Sequence, residues 1–266
     1  MTVEAGALRL PLVVWSLLAR EWLRFLRQRN RIIGALGTPI VFGVVFGSGF
    51  GRSFRPPGLA EGMDYLAYFY PGMLLLVLLF TSIFASISII EDRNTGFLQG
   101  VLVAPVPRLA IVLGKVLGGA TLGFIQGALL LPLAPLAGIA LNFGQVIAIC
   151  GQMFLIAVTL SSIGFLFAWR TDSVQGFHAV MNLLLFPMWL LSGAFFPASG
   201  ASIWIQAVMA VNPLAYGLAA LRRVMYPPEM VANLGLVAMA PAMIVLAATA
   251  AIALALAVLV VRKSEA

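Results

Sequence analysis

The chain has 266 residues, of which 62% are hydrophobic and only 9% are charged. A soluble domain carries about 25% charged residues, so this composition excludes an ordinary soluble enzyme and indicates an integral membrane protein. The apolar stretches run unbroken for about 20 residues, which predicts spanning helices rather than a β-barrel. The formal charge of +7 is interpreted as membrane topology, with no nucleic-acid partner. The single cysteine, Cys150, leaves no disulfide framework.

Residues 11–31 are predicted to form an amphipathic helix that lies at the membrane surface. One side is apolar and the opposite side is basic, with the indoles at headgroup depth and the guanidiniums toward lipid phosphate. The apolar stripe consists of Trp15, Leu18, Trp22, Phe25 and Leu26, and the basic side consists of Arg20, Arg24, Arg27 and Arg31. The alternative is a basic flank that only orients the first span.

Six membrane spans are predicted, which makes residues 1–266 a single all-α transmembrane domain. The spans are 32–50, 67–90, 109–139, 145–169, 177–196 and 235–261. Spans 1 and 3 each contain glycines spaced by four residues, which let helix backbones approach closely. These rows are Gly43, Gly47 and Gly51, and Gly119, Gly123 and Gly127. They fit packing within one chain, and a dimer seam is the alternative.

The loop between spans 2 and 3 is more elaborate than a reversal of direction requires. Residues 89–119 read IIEDRNTGFLQGVLVAPVPRLAIVLGKVLGG. A short helix is predicted over 96–102, and two prolines end it because proline has no N–H and clashes with the preceding turn. The charged and proline positions of the loop are Glu91, Asp92, Arg93, Pro105, Pro107 and Arg108.

This segment resembles the ABC-2 class of ABC transporter permeases. The resemblance rests on the charged turn before Gly-Phe-Leu, on Leu-Val-Ala-Pro-Val-Pro and on a following Gly-Lys, and it extends over nearly the whole chain. Within the class, the chain is similar to the bacterial drug, nodulation-factor and polysaccharide exporter permeases. In that family the loop, here residues 91–108, carries a coupling helix that rests on the ATPase subunit. A connecting helix at the position of residues 11–31 also touches the ATPase.

The resemblance implies which residues contact the ATPase. In the loop they are Glu91, Asp92, Arg93, Gly96, Phe97, Leu98, Leu102, Pro105, Pro107 and Arg108. The residues that mark the interfacial helix itself are Trp15, Arg20, Trp22, Arg24 and Arg27. The apolar side chains of the loop would fill a groove on the ATPase. The acids suit a helix N-terminus, or they pair with Arg108 or Lys115 and fix the loop. The prolines would make the turn rigid, so that a push on the helix moves spans 2 and 3.

The distribution of Lys and Arg predicts that both termini are cytoplasmic. Twelve basic residues then lie in inner segments and four in outer segments, which agrees with the positive-inside rule. The inner residues are Arg9, Arg20, Arg24, Arg27, Arg29, Arg31, Arg93, Arg108, Lys115, Arg170, Arg262 and Lys263, and the outer ones are Arg52, Arg55, Arg222 and Arg223. The coupling segment 91–108 is thereby predicted on the side where ATP is. A second, smaller ATPase contact at Arg170 and Asp172 is weighed against a solvated turn.

Residues 197–234 are too long for a turn between spans 5 and 6. Two apolar pieces of about 10 to 14 residues are too short to cross a bilayer and fit re-entrant or interfacial helices. They meet at Asn212-Pro213. The resemblance implies that such outer helices cap the exit of the pathway, and the Asn-Pro pair followed by Tyr216 also resembles the family.

The candidates for lining a pathway are polar and aromatic residues in spans 2 and 5. They are Phe80, Ser82, Phe84, Asn182, Phe186 and Trp189. The resemblance implies that these spans of two subunits meet around the route, and the alternative is ordinary helix packing. No phosphate-binding Gly-x-x-x-x-Gly-Lys-Ser/Thr motif is present, so ATP and Mg are expected on a partner ATPase, with no cofactor or metal on this chain. The lone histidine, His178, is read as a packed polar residue.

The sequence therefore predicts the permease subunit of an ATP-driven exporter in a bacterial-type inner membrane. Six spans are half of the usual twelve, so a second permease chain, identical or related, is expected together with two ATPase subunits and membrane lipid. The cargo would be an amphipathic drug, lipid or glycan. The alternatives are a secondary transporter or channel without an ATPase, an intramembrane enzyme, and a membrane scaffold. The absence of mid-span charge disfavours the first of these, and the absence of a catalytic constellation disfavours the second.

Overall fold

The computed structural model describes residues 2–28, 33–34, 37, 40–45, 49 and 63–263. Most of the predicted first span, 32–50, and most of the loop that follows it lie outside these residues. The described part of the chain is helical and contains no strand. This confirms the prediction of an all-α protein.

Eleven labelled helices follow one another in the described ranges. They are α1 (Thr2–Arg27), α2 (Tyr65–Ala85), α3 (Ile87–Asn94), α4 (Phe97–Val103), α5 (Arg108–Leu130), α6 (Phe143–Arg170), α7 (Val174–Trp189), α8 (Ile203–Val211), α9 (Pro213–Met225), α10 (Pro228–Val231) and α11 (Met239–Lys263). A 3₁₀ turn, Leu131–Ala137, which contains Pro132 and Pro135, continues α5, and a π-helical turn, Leu190–Ala194, continues α7.

Five helical stretches in the described ranges are long and apolar enough to cross a bilayer, for which about 20 residues suffice. They are Tyr65–Asn94, Arg108–Ala137, Phe143–Arg170, Val174–Ala194 and Met239–Lys263. These correspond to the predicted spans 2 to 6. The last helix begins at Met239 instead of 235, because Gly235 has a left-handed backbone (φ 67°) that follows a separate 3₁₀ turn.

The stretch Tyr65–Asn94 lies at the centre of the bundle, and 89% of the residues in its most apolar part are buried. It packs against α5, α6 and α9, and α11 closes the bundle against α6 and α9. The glycine row of α5 permits this closeness: a Cβ at Gly119 would lie 2.9 Å from Ser161 Oγ and 3.0 Å from Ala85 Cβ. Gly123 and Gly127 are likewise covered by side chains of α2 and α6. This row therefore packs helices within one chain.

The segment between spans 5 and 6 forms the pair α8–α9, which is bent by 87° at Asn212-Pro213. Asn212 holds the bend in place. Its Oδ1 accepts the Leu214 N–H at 3.0 Å, and its Nδ2 donates to the carbonyls of Met188 and Leu191 at 2.6 and 3.0 Å. Those carbonyls belong to the end of α7 and to the π-helical turn that follows it, where the regular hydrogen bonding is interrupted. The bent pair is thus fastened to the end of span 5.

Candidate functional site

Helix α1 lies in a groove on α5 that two glycines open. A Cβ at Gly114 would come within 2.7 Å of Leu17 Cβ, and a Cβ at Gly118 within 2.9 Å of Glu21 Cγ. The residues of α1 that face this groove are spaced by four, and Leu17, Glu21 and Phe25 are buried. The interaction brings α1 against the start of the third span, next to the loop 91–108.

The face of α1 that packs on the protein coincides only in part with the apolar stripe predicted for the membrane surface. Trp15 and Leu26, assigned to the apolar stripe together with the buried Phe25, are exposed and remain available to a bilayer. Trp22 is half-buried, and its Nε1–H donates to Thr121 Oγ1 at 2.8 Å. The row that packs on Gly114 and Gly118 contains Glu21, and it places that carboxylate opposite Lys115.

Asp92, at the end of α3, is fully buried and is contacted by three cations. Its Oδ2 accepts from Arg20 Nη1 at 2.6 Å and also from Lys115 Nζ, and its Oδ1 accepts from Arg24 Nη2 at 2.6 Å. The prediction directed Arg20 and Arg24 toward lipid phosphate, and the structure directs both toward this carboxylate. One acid therefore joins α1, α3 and α5.

A second carboxylate balances the buried ammonium. Lys115 Nζ donates to Glu21 Oε1 at 2.5 Å and to Ser88 Oγ at 3.2 Å. Of the two partners predicted for the acids of the loop, Arg108 and Lys115, the structure pairs Lys115 with Asp92. A buried charge is costly unless it is paired and hydrogen-bonded, and here the lysine has both kinds of partner.

Arg24 completes the group, which we call the charge cluster. Its Nη1 contacts Glu91 Oε2 at 3.2 Å and the Ser88 carbonyl at 3.3 Å. Burial opposes the charged form, but the hydrogen bond to Asp92 and the neighbouring carboxylates raise the pKa of Arg24 above its ordinary value. The cluster contains three acids and three bases and is electrically neutral; its members are Arg20, Glu21, Arg24, Glu91, Asp92 and Lys115.

Helix α4 follows the cluster and lies within one residue of the helix predicted over 96–102. Gly96 precedes it with φ 76°, a left-handed conformation that glycine adopts without strain. At the other end Ala104 and Pro107 are extended, and α5 begins at Arg108. The prolines thus separate α4 from α5 as predicted from their missing N–H groups.

The surface of α4 differs from the prediction. Leu98 is only 4% exposed and belongs to the core, and Leu102 packs against the core in part. The ring of Phe97 lies 3.6 Å below the guanidinium of Arg20, a cation–π contact. These side chains anchor the helix to its own chain. The exposed residues are Gln99, Gly100 and Val103, the last with 88% of its surface accessible.

Arg93 fixes α3 from the opposite side. Its Nη2 donates to the Trp169 carbonyl at 2.6 Å and its Nη1 to the Thr171 carbonyl at 3.1 Å, at the C-terminal end of α6. A cation suits this position because the last carbonyls of a helix lack intrahelical donors. Asp172 approaches Arg93 at 3.7 Å but is fully exposed. The loop is therefore attached to α1 and α5 by the charge cluster and to α6 by Arg93.

Residues 13–226 match the family model described as ABC-2 type transporter. The chain belongs to this family. The matched region contains the loop 91–108 and most of helix α1, which contacts that loop through the charge cluster. This ABC-2 protein is consequently a membrane transport permease with several spanning helices.

The permease is similar to curated proteins along most of its length. Nodulation protein J of Rhizobium leguminosarum bv. viciae is 27% identical over 84% of this chain and 85% of that protein. The daunorubicin resistance ABC transporter permease protein DrrB1 of Streptomyces coeruleorubidus is 21% identical over 82% and 76%. The inner membrane transport permease YadH of Escherichia coli K12 is 24% identical over 78% and 80%.

The pathway candidates of the permease fall into two groups. Ser82 and Trp189 are fully buried; Ser82 lies against Gly123, and Trp189 Nε1–H donates to the Gly72 carbonyl at 2.8 Å. They pack helices together. The other four are partly or well exposed on α2 and α7; they are Phe80, Phe84, Asn182 and Phe186. The two helices meet at Phe84 and His178, whose ring centroids are 4.8 Å apart. This second group is the accessible one in the permease.

Two important residues of the permease were not found by sequence reasoning. Glu21 is the one acid between Trp15 and Arg31, four residues after Leu17 and four before Phe25. An acid on a buried row requires a cationic partner, and this signal was present in the sequence. Arg222 was placed among outer-loop cations but is 1% exposed; its position at the end of a short basic helix gave no indication of burial. Among the described residues, no group of three His, Cys, Asp or Glu could hold a metal ion.

Proposed function

We propose that this chain is the transmembrane subunit of an ATP-driven exporter and that residues 91–108 transmit motion from a separate ATPase. The observation that carries the proposal is the double attachment of the loop. Helix α4 exposes a small surface to a partner, while the charge cluster and Arg93 join the loop to three other helices. A displacement of α4 is then transferred to α1, α5 and α6 together, because close-packed helices move as one rigid body.

The proposed driving cycle uses this arrangement. Two ATPase subunits dock on the loop face of two permease chains, which puts both termini of each chain in the cytoplasm of a cell with a bacterial-type inner membrane. ATP and Mg²⁺ bind to the ATPase subunits. Their closure draws the two α4 helices together and changes the side of the membrane to which the pathway opens.

The proposed route lies along the accessible candidates of α2 and α7. Their aromatic rings and the Asn182 amide suit an amphipathic drug, lipid or glycan, with the second permease chain forming the opposite wall. The nodulation and daunorubicin-resistance names of two relatives support export rather than import. Phe80 and Phe84 have ring centroids 5.5 Å apart, which provides an apolar surface on α2.

A substitution on the exposed surface of α4 tests the coupling. Val103→Asp should weaken association with the ATPase about tenfold or more, since truncating or charging a central contact costs about 2 kcal/mol. Val211→Asp is the matched control, because Val211 is also exposed but lies in α8, outside the loop. Val103→Asp should insert normally, and the two variants are compared at equal amounts of permease in the membrane.

The measurement is copurification of the ATPase from the native host, identified by mass, followed by ATP hydrolysis of the reconstituted complex. Equal ATPase recovery and equal hydrolysis with Val103→Asp and Val211→Asp would contradict the assignment of α4. Recovery of no ATPase with folded wild-type permease would instead favour a secondary transporter or channel.

A further inference from the structure

A cavity of about 290 Å³ lies between the π-helical turn, α8, α9 and the residues that precede α11. Its rim is exposed and includes Ser199 and Gln206, and its floor is buried and includes Gly193, Met209 and Arg222. Since Arg222 contacts Tyr68, near the start of α2, the cavity is far from the charge cluster. At about 1.5 Å per residue the helical path from Tyr68 to Asp92 is about 36 Å long.

Arg222 is the one residue of the cavity lining that carries a full charge at neutral pH. It is 1% exposed. Its Nη2 donates to the Tyr68 carbonyl at 3.1 Å, and its guanidinium carbon lies 4.1 Å from the centroid of the Tyr68 ring. In the described part of the chain it makes no ion pair, and its Nε is buried without an acceptor. Arginine has five N–H donors, and the one on Nε is left without an acceptor.

Gly193 brings the backbone close to the guanidinium without adding a side chain. Gly193 has φ 95°, a conformation that disfavours any side chain, and a Cβ there would lie 3.9 Å from Arg222 Nη1. The neutral polar groups of the rim already donate to backbone carbonyls: Ser199 to Asn233 and Gln206 to Ala201. The uncompensated potential of the cavity is therefore positive.

We propose that this cavity, the Arg222 pocket, binds the anionic phosphate or carboxylate headgroup of an amphiphile. An ionisable residue within a membrane protein is retained at a cost in free energy and marks a site with a counter-charge. The guanidinium lines the cavity, and guanidinium N–H groups form charge-assisted hydrogen bonds to phosphate and carboxylate oxygens. The other lining side chains, which include Met209, Leu234, Leu236 and Val237, suit the first carbons of an alkyl chain.

The headgroup can come from an anionic lipid of the bilayer or from an amphiphile that diffuses in, such as a transported molecule. Both present the same chemistry to Arg222. Binding at this pocket does not require nucleotide or an ATPase. The proposal is consequently independent of the coupling assignment, and either can fail without the other.

The test uses full-length permease in phosphatidylcholine nanodiscs and labelled decyl phosphate as the probe. Equilibrium binding is measured relative to empty nanodiscs, without nucleotide. Wild type should bind saturably, and Arg222→Gln should bind about tenfold more weakly or worse, because hydrogen bonds to a charged group are among the strong ones. Ala215→Phe, which fills the cavity and keeps the arginine, should show the same loss. Arg262→Gln, an exposed cation in α11, should change binding by less than about twofold.

Two results would overturn the proposal: Arg222→Gln that is folded and binds like wild type, or Ala215→Phe that binds like wild type. If Arg222→Gln does not fold, Ala215→Phe alone decides. A second series replaces part of the lipid with phosphatidylglycerol. Weaker probe binding to wild type would support the pocket with bilayer lipid as its occupant, and unchanged binding would support it with a diffusing amphiphile.

Discussion

Two buried charged regions lie near the two ends of the Tyr65–Asn94 stretch, and they satisfy their charges differently. The charge cluster pairs three bases with three acids, so Asp92 and Lys115 are both surrounded by opposite charge. At the other end Arg222 has a carbonyl and an aromatic ring but no ion-pair partner among the described residues. A neutral, saturated network holds elements together, whereas an unsaturated cation leaves capacity for a ligand.

The largest effect is expected at Asp92. Asp92→Asn should lower the free energy of unfolding by about 3–5 kcal/mol, because it leaves buried Lys115 and Arg24 without their shared carboxylate. Asp172→Asn, at a fully exposed acid, should change it by less than about 0.5 kcal/mol. Equilibrium unfolding of the two purified variants in mixed micelles makes the comparison. Equal stability of both would mean that the cluster does not hold the loop.

Sequence reasoning found the elements but not the faces that they bury. Hydropathy was sufficient for spans 2 to 6 since each contains a long apolar run, and Gly96, Pro105 and Pro107 marked the ends of α4 through their backbone chemistry. These signals are local in the chain.

The contacts of the candidate site are not local. Arg20 and Asp92 are 72 positions apart, and Glu21 and Lys115 are 94 positions apart. Periodicity gave α1 an amphipathic character, but the groove at Gly114 and Gly118 decided which row is buried. The assignment of Leu98 to an external contact was wrong for the same reason, because its neighbours come from elsewhere in the chain.

A double-mutant cycle at Glu21 and Lys115 sharpens the contrast. Glu21→Gln and Lys115→Met should each destabilise the permease. The double variant should lose about 1–3 kcal/mol less stability than the sum of the two single losses. The same Glu21→Gln combined with Arg223→Gln, near the Arg222 pocket, should be additive to about 0.5 kcal/mol. Additivity in both pairs would contradict direct pairing. The readout is unfolding of all single and double variants under one set of conditions.

A larger side chain in the groove between α1 and α5 should lower the stability of the permease without any change of charge. Gly114→Ala is expected to cost about 1–3 kcal/mol, since the new Cβ meets Leu17 Cβ at 2.7 Å and the Val14 carbonyl at 3.3 Å. Gly100→Ala has open space around it and should be neutral or stabilising by up to about 1 kcal/mol. Thermal unfolding of the matched pair is the measurement. If Gly114→Ala is no less stable than Gly100→Ala, then α1 can move away from α5 without a loss of stability.

The smallest effect is expected at Arg222. Arg222→Met should change the free energy of unfolding by about 1 kcal/mol or less, because losing the hydrogen bond to Tyr68 is offset by removing an unpaired buried charge. The variant is measured beside Asp92→Asn in the same unfolding experiment. A loss as large as that of Asp92→Asn would make Arg222 a structural member of the bundle and remove the contrast between the two regions.

The pairing of Glu21 with Lys115 also imposes an order on biosynthesis. The two residues are 94 positions apart, so at about 5–20 residues per second Glu21 is synthesised roughly 5–20 s before its partner. During that interval a carboxylate on the face that will be buried favours contact with water over entry into hydrocarbon. Helix α1 therefore remains at the surface of the bilayer while spans 1 and 2 are synthesised. It docks only after the third has supplied both the glycine groove and the ammonium.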